Sequence, residues 1–300
     1  MSPDPEEKKP EDQGPVRHSV GRRLQFIEFC LFWEGQLNRS DIMNRFGISE
    51  PQASADLARY QELAPDNLVY DRSLKRYISG PKFRPVLVKP EANNYLTQLR
   101  ALAEELTSRE ETWIVRSPVY DVAPTPRREI NPNRLRKMLQ AIREARTISI
   151  AYQSLSRPEP RWRWITPHAL GFDGFRWHVR AYCHIDDRFK DFLLARIQGV
   201  RRETRERQID PVEDKEWHSK LTVRIGPHPD FTPSQKRVVE KDYGMKEGEF
   251  RIHVRQALLY YLLKRLGLDA GHGSRRPMEQ HIVLLNRQEL EEKLGRPLWL

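Results

Sequence analysis

The chain has 300 residues, with 52 Lys and Arg against 42 Asp and Glu, which gives a formal net charge of +10. This length favours more than one domain, and 38% hydrophobic residues are enough for folded cores. No uncharged stretch approaches the roughly 20 residues of a membrane helix, so the pattern excludes a membrane-spanning chain. Residues 1–15 are acidic and contain Pro, which predicts a disordered tail rather than a signal peptide. The two cysteines, Cys30 and Cys183, provide neither a disulfide framework nor a zinc motif and favour the reducing cytoplasm.

The positive charge is concentrated in one segment. Residues 127–207 contain 19 basic and 9 acidic side chains, and the basic ones are almost all Arg, whose planar fork suits phosphate recognition. This segment therefore predicts a polyanionic partner, although a solvated Arg-rich surface would have the same composition. The other segments, residues 1–15, 16–85, 86–126 and 208–300, have net charges of only −3, +3, −2 and +2.

Residues 16–85 predict a winged helix-turn-helix domain. Ser40 and Ser49 are the expected N-caps of its second and third helices, and Gly47 supplies the turn between them. A helix, a Gly-containing turn and a further helix form the arrangement that sends its last helix into the DNA major groove. The three predicted helices span residues 20–34, 41–46 and 50–63.

The third helix has an apolar stripe, and its opposite side therefore predicts the DNA contacts. Residues 67–70 and 76–79 are β-prone and predict a hairpin with a basic tip, which is the wing. The same unit could instead serve as a protein-interaction domain, and its nearly neutral charge favours a dimer on a symmetric, pseudo-palindromic operator. The predicted DNA-binding residues are Arg39, Ser40, Ser49, Gln52, Ser54, Ala55, Arg59, Arg72, Lys75 and Arg76.

Residues 86–126 predict a helical connector. Leu96, Leu99, Leu102 and Leu106 recur at helical spacing within a predicted helix over 91–107. Such a helix would pack between two modules or against a partner chain. The Pro-rich stretch 118–126 then predicts an extended linker and a domain boundary.

Residues 127–207 predict one helix over 133–146, followed by several short strands. Apolar and polar residues alternate around 148–152, 162–165 and 175–182, and 192–197 is another apolar run. Short strands joined by Gly-containing turns favour a small β-barrel or a curled sheet.

Five sequence features occur in order along this segment, and together they resemble the WYL-domain family of bacterial transcription regulators. The resemblance implies an SH3-like or Sm-like barrel with a basic pocket that senses nucleic acid or a nucleotide signal and alters DNA binding. His178-Val179 stands where the family name has Tyr-Leu, and this variant is similar to the WYL repressors encoded beside BREX and CBASS anti-phage systems. The features are Ile150-x-Tyr152, Pro167-x-x-Leu170, Arg176-Trp177-His178-Val179-x-Ala181-Tyr182, Arg188 and Phe192-Leu193-Leu194-Ala195-Arg196-Ile197.

The resemblance also implies an effector pocket formed by Ser154, His178, Arg188 and Arg196. Strand alternation places His178 on the face opposite Trp177 and Val179, and the two arginines could donate charge-assisted hydrogen bonds to phosphate. The alternatives are a structural histidine and arginines in surface salt bridges. Trp177 is expected in the core.

Residues 208–300 predict a small α+β domain, which the family likeness implies is used for dimerisation. Strands are expected at 221–225, 250–254 and 281–285, and helices at 233–243 and 256–266. The second helix is apolar on more than one face, which indicates deep burial or a dimer interface.

No catalytic, metal-binding or cofactor motif is recognisable in the sequence, so we expect neither an enzyme nor a resident cofactor. The whole chain is predicted to be an α+β, homodimeric, cytoplasmic and nucleoid-associated repressor of a phage-defence operon, released from DNA by a nucleic-acid or nucleotide effector. The alternatives are an activator switched by single-stranded DNA and a non-enzymatic accessory subunit of a defence complex.

Overall fold

The computed structural model describes residues 15–271 and 275–298, and the chain divides into two compact units, one up to residue 125 and one from residue 126. The predicted tail therefore lies, apart from its last residue, outside the described residues. None of the helices in the described ranges is long and apolar enough to cross a membrane.

The N-terminal unit is a winged helix-turn-helix, as predicted. Three helices pack together, and a small antiparallel sheet with the order β1-β3-β2 forms the wing. A fourth helix follows in the connector. The elements are α1 (Pro15–Glu34), β1 (Gln36–Leu37), α2 (Arg39–Phe46), α3 (Glu50–Leu63), β2 (Leu68–Asp71), β3 (Arg76–Ser79) and α4 (Ala92–Ala103).

The start of α2 differs from the prediction. Asn38, not Ser40, is the N-cap, and its backbone N–H donates to the Asp41 carboxylate at 2.7 Å. Ser40 consequently lies inside the helix and is exposed. Gly47 ends α2 with a φ of 62°, the left-handed conformation expected of a glycine at this position.

The connector is part of the N-terminal core. Leu99 of α4 and Ile114 are buried in the same apolar cluster as α1 and α3, and the rings of Trp113 and Phe29 meet edge-to-face at 5.6 Å. The predicted leucine stripe is only partly used, because α4 ends at Ala103 and Leu106 is 66% exposed.

The C-terminal unit begins with α5 (Pro132–Arg143) and an antiparallel sheet of five strands. The sheet is open, with the strand order β7-β6-β5-β4-β8, so the barrel expected from the family resemblance is wrong for the described residues. Closure would require the edge strands β7 and β8 to pair, yet in the described chain β7 pairs with β6 and β8 with β4. The strands are β4 (Arg146–Tyr152), β5 (Arg161–Phe172), β6 (Trp177–Cys183), β7 (Arg188–Leu193) and β8 (Ile197–Glu206).

One face of this sheet is covered by α5. Met138 and Ala141 of the helix pack with Ile148, Ile150 and Val179 in one buried apolar core. Side chains alternate along a strand, so the residues between these positions project from the opposite face of the sheet.

A small α+β domain completes the C-terminal unit, as predicted, around an antiparallel sheet with the order β10-β9-β11. Leu259 and Leu263 of its α8 helix are buried, whereas Tyr260 is 56% exposed, so only one side of α8 faces the core. The elements are α6 (Lys215–His218), β9 (Lys220–Pro227), α7 (Pro233–Tyr243), β10 (Phe250–Arg255), α8 (Leu259–Arg265), β11 (Ile282–Leu284) and α9 (Arg287–Leu294).

Candidate nucleic-acid interface and sensor face

The third helix, α3, is exposed on the side where the sequence predicts the DNA contacts. Its stripe of Ala53, Leu57 and Tyr60 is buried, which leaves Gln52 and Arg59 exposed on the outer side. Ala55 is also exposed there.

A buried ion pair fixes the rotation of α3 against α1. Two guanidinium nitrogens of Arg23 in α1 donate to the Asp56 carboxylate of α3, at 2.5 Å from Nε to Oδ2 and 3.1 Å from Nη2 to Oδ1. Both side chains are almost fully buried, so this bidentate contact holds the exposed side of α3 in one orientation.

The residues at the start of α2 and α3 have internal partners. Ser49 occupies the N-cap position of α3, and the Ser54 hydroxyl donates to the Glu50 carbonyl at 2.9 Å. Arg39 donates to the Glu50 carboxylate, and hydrogen bonds with Tyr77 and Glu50 raise the pKa of Arg39.

The wing tip is built around Asp71. Its Oδ1 accepts from the Ser73 amide at 2.8 Å and the Leu74 amide at 2.9 Å, and these bonds hold the pKa of the exposed carboxyl below its usual range. Arg72 and Lys75 are exposed at this tip. Arg76 is half-buried instead and donates to the Gln36 side chain.

A buried carboxylate that sequence reasoning missed joins α3 to the connector. Glu28 of α1 is fully buried and accepts the Tyr60 hydroxyl at 2.9 Å. It also accepts the backbone amides of Val86, Leu87 and Val88 at 2.7–2.9 Å. A charged residue within the apolar pattern of α1 is the only sequence signal for this contact.

The structure separates two of the predicted effector residues. On the β6–β7 pair, His178 lies opposite Leu193, whereas Arg188 lies opposite Cys183, five residues further along the strand. Cys183 and Arg188 are in phase with the core residues Val179 and Phe192, so His178 points to the other face of the sheet. We therefore correct the expectation of a single pocket containing both His178 and Arg188.

His178 is a buried residue in the described structure. Its Nε2 lies 3.0 Å from the Asp173 carboxylate, and its ring centroid lies 4.8 Å from that of Tyr261 in the C-terminal domain. Burial opposes ionisation of Asp173, yet hydrogen bonds from His178 and Arg176 hold the pKa of Asp173 well below its usual range. Trp177, expected in the core, is 47% exposed because its part of β6 extends beyond the cluster under α5.

The chain next to Ser154 is hydrogen-bonded to the backbone of Arg196. The residue before Ser154, Gln153, donates its backbone amide to the Arg196 carbonyl at 3.1 Å. Both side chains are half-buried, and the Ser154 hydroxyl lies 3.0 Å from that of Ser156.

Arg163 is a further basic residue that the sequence reasoning missed. Its side chain is 9% exposed, and its guanidinium lies over the rings of Tyr152 and Phe192 at 5.6 and 5.7 Å. Its Nη1 reaches Asp186 at 3.5 Å, while its buried Nε has no hydrogen-bond partner among the described residues. Arg163 lies two residues before the core residue Ile165, so strand alternation could have placed its side chain on the core face of the sheet.

The sheet face opposite α5 is tied to the C-terminal domain by a buried arginine. Arg180 of β6 donates to both carboxylate oxygens of Asp214 at 2.7 and 2.9 Å, to Glu216 at 2.8 Å and to Asp191 at 3.4 Å. Burial would raise the pKa of Asp214, but hydrogen bonds from Arg180 and His168 outweigh burial and hold it well below its usual range.

Asp191 behaves in the opposite way. Burial raises its pKa, although it lies near Arg180 and accepts the Tyr261 hydroxyl at 3.1 Å. A cavity of about 270 Å³ opens beside this cluster, between the sheet and the C-terminal domain. Its lining includes Arg180, Asp191, Glu216, Tyr260, Tyr261 and Arg296.

Three family models match the chain and follow this architecture. The BrxR transcriptional regulator winged helix-turn-helix domain matches residues 19–101, the WYL domain matches 133–202, and the BrxR transcriptional regulator C-terminal dimerization domain matches 220–290.

Full-length relatives give the same result. The DNA-binding transcriptional repressor CapW of Stenotrophomonas maltophilia is 42% identical over 92% of this chain and 93% of its own length. The chain belongs to the CapW family of WYL-domain regulators. CapW proteins of Pseudomonas aeruginosa and Escherichia coli are each 38% identical, over 96% and 92% of this chain and 98% and 92% of their own lengths. The relatives carry the name of a non-enzymatic regulator, and membership of this family confirms the resemblance to WYL repressors.

Proposed function

We propose that this protein is a sequence-specific DNA-binding transcriptional repressor. The observation that carries the proposal is the locked orientation of α3, which leaves Gln52, Ala55 and Arg59 on its exposed side. Relatives that align over nearly the whole chain are named DNA-binding transcriptional repressors, and this supports the same role here.

The repressor acts as a homodimer on a pseudo-palindromic operator. The match to a dimerization domain supports two copies, and two copies place two α3 helices on successive major-groove faces. Gln52 reads a base edge, while Arg59 and the wing residues Arg72 and Lys75 contact phosphate. The other predicted DNA-binding residues surround these contacts, and they are Arg39, Ser40, Ser49, Ser54 and Arg76.

Footprinting on the DNA upstream of the gene tests this function. We expect two related half-sites and a sequence-dependent affinity, whereas protection without symmetry or sequence preference would contradict the proposal. Gln52→Ala should weaken operator binding by about 5- to 150-fold per half-site and relax the sequence preference, because one bidentate base contact contributes about 1–3 kcal/mol. Arg237→Ala, an exposed arginine of α7, is the matched control and should leave operator affinity unchanged.

The WYL segment relieves repression when it binds a nucleic-acid or nucleotide effector. Ser154 and Arg196, whose chain segments are joined by a backbone hydrogen bond from Gln153, are the central residues of this proposed site, and the buried, incompletely bonded Arg163 supports a ligand-facing role for the same sheet. Arg188 contributes from β7, and His178 acts indirectly through Asp173. Arg196→Gln should abolish the release of operator by a cell nucleotide extract and retain operator binding, whereas loss of both would favour a structural role.

The regulated genes are a phage-defence operon, and the protein is cytoplasmic and associated with the nucleoid. A reporter fused to the upstream region separates the repressor from the alternative activator, because deleting the gene raises reporter output only for a repressor. A non-enzymatic accessory subunit is the other alternative. This alternative would be favoured if the Gln52→Ala and Arg59→Ala variants still bound operator but no longer co-purified with a defence enzyme.

A further inference from the structure

Half of the chain's excess of positive charge lies outside the five-stranded sheet. Residues 127–143, which comprise α5 and the segment before it, contain 6 basic and 1 acidic side chains, so their net charge of +5 is half of the +10 of the whole chain. The winged helix-turn-helix, residues 16–85, has a net charge of only +3. The protein therefore has a second basic region, on a helix that contains none of the predicted DNA-binding or effector-binding residues.

The orientation of α5 is fixed by its contacts with the sheet. Arg134 Nη1 donates to the Ile197 carbonyl of β8 at 2.8 Å, and Lys137 Nζ donates to the Val200 carbonyl at 3.0 Å. Met138 is fully buried in the core between the helix and the sheet. One side of α5 is therefore held against the sheet, and the opposite side is turned to solvent.

The solvent side of α5 has a stripe of long polar side chains. Arg136, Gln140 and Arg143 follow each other at intervals of four and three residues, so they lie on one side of the helix. All three are exposed, and they lie opposite the buried Met138 and Ala141. The two arginines are seven residues apart, which places their Cα atoms about 10 Å apart along the helix axis. We call Arg136, Gln140 and Arg143 the α5 outer face.

The arginines of the α5 outer face are not neutralised within the described parts of the chain. None of the ion pairs or hydrogen bonds found there joins Arg136 or Arg143 to a carboxylate. The exposed acid at the end of the helix, Glu144, accepts from the Gln140 amide at 2.9 Å. Arg128, which precedes the helix, is also exposed. An extended anion is therefore complementary to this side of α5.

The chemistry of the α5 outer face suits phosphates rather than bases. The planar fork of an arginine can donate two parallel hydrogen bonds to one phosphate. The three side chains of this face include no aromatic ring on which an unpaired base could stack. Duplex DNA has one negative charge per about 1.7 Å of its axis, so several phosphates fit within the length of the stripe. Duplex DNA is therefore the polyanion that this face matches best.

We propose that the α5 outer face contacts the phosphates of duplex DNA beside the half-site that α3 reads. Phosphate contacts do not read sequence, so they add affinity and salt dependence without changing the operator preference. The inference rests on the proposed function, because it extends the operator contact beyond the winged helix-turn-helix.

Two operator duplexes test the inference with the full-length protein. One is trimmed to the two half-sites that base substitution defines, and the other is extended at each end by about ten base pairs, one helical turn. In fluorescence anisotropy at low salt, the wild-type protein should bind the extended duplex about 10-fold or more tightly. Its slope of log affinity against log salt should be steeper by about 1.8 per protomer, because each of two phosphate contacts contributes about 0.9. Arg136→Gln combined with Arg143→Gln should remove both differences and leave the affinity for the trimmed duplex unchanged.

Two further variants separate a phosphate contact from a general effect of charge. Arg237→Gln combined with Lys241→Gln removes two exposed charges from one side of α7 and should leave both differences intact. Arg136→Lys combined with Arg143→Lys keeps the positive charge and should retain the steeper slope. This variant should bind the extended duplex less tightly than the wild-type protein does, because lysine lacks the bidentate fork.

Sequence-specific binding of the trimmed duplex, which does not involve α5, separates this inference from the proposed function. Its absence in the wild-type protein would contradict the proposed function. If it is present, the inference is overturned by any of three results: equal wild-type slopes on the two duplexes, a wild-type slope in the α5 glutamine variant, or an equal loss of slope in the α7 variant. Weaker binding of the trimmed duplex by the α5 glutamine variant would also overturn the inference, because it would show that these arginines support the fold.

Discussion

Apart from the Arg23–Asp56 pair of the N-terminal unit, the two units of the molecule use their buried charges differently. In the N-terminal unit, the carboxylates Glu28 and Glu34 accept backbone amides of the connector, at Val86–Val88 and at Val115. In the C-terminal unit, the guanidinium of Arg180 donates to carboxylates of the C-terminal domain and of β7. The first pattern attaches chain segments, and the second joins side chains of two domains.

Because of this difference, a structural change in one unit should have other consequences than a change in the other unit. Because Glu28 also accepts the Tyr60 hydroxyl of α3, a displacement of the connector would act directly on the helix that we propose reads DNA. The Arg180 cluster instead holds the sensor sheet and the C-terminal domain as one body, and its strength depends on the protonation of its acids. Substitutions in each unit can therefore separate the two roles.

The largest expected effect comes from Arg180→Met. This change leaves Asp214 and Asp191 buried without their cation, and breaking a buried ion pair on one side costs about 4 kcal/mol. Hydrogen exchange measured by mass spectrometry on peptides of each unit should show faster exchange after residue 126 only. Arg251→Met, at an exposed ion pair with Glu249, is the control and should cost under about 1 kcal/mol. Equal losses in both variants would contradict a central role for the cluster.

Glu28→Gln should have the next largest effect, confined to the N-terminal unit. The NH2 group that replaces one carboxylate oxygen cannot accept hydrogen bonds from the backbone N–H groups that face it. These buried donors would be left unsatisfied, which should lower the free energy of unfolding by about 3 kcal/mol. We expect the amides of residues 86–88 to lose protection in hydrogen exchange and operator affinity to fall. Glu62→Gln, an exposed acid of α3, is the matched control. Unchanged protection at residues 86–88 would show that Glu28 does not hold the connector.

Local sequence signals predicted the helices and the wing well. Gly35 and Gly47 end helices with positive φ, and Ser49 and Pro51 mark the start of α3, because these conformations are set by the residues themselves. The start of α2 was misassigned because Asn38 and Ser40 are both good N-caps, and the Asp41 carboxylate decides between them only in three dimensions.

Long-range features were not predictable in the same way. Strand β8 was missed because it alternates charged residues around only Ile197 and Val200, and its partner β4 is about 50 residues earlier in the chain. Sequence alternation placed His178 on the correct face of β6, but it could not show that Tyr261 covers this residue. The Arg163 and Arg180 environments likewise depend on partners that are distant in sequence.

The smallest predicted effect is a difference in how the two units respond to acid. Asp214 has a depressed pKa in the folded chain, so its contribution is complete above its unfolded pKa of about 3.9 and is lost as the pH falls below that value. Glu34 has a raised pKa because of burial, so its contribution has the opposite sign and is lost as the pH rises through the folded pKa. The protection factors of amides in the C-terminal unit, which correct for the slower intrinsic exchange at lower pH, should therefore fall between about pH 4 and 3 more than those of the N-terminal unit. Asp214→Asn should flatten this response, because an amide does not titrate; an unchanged slope in this variant would assign the acid sensitivity to groups outside the Arg180 cluster.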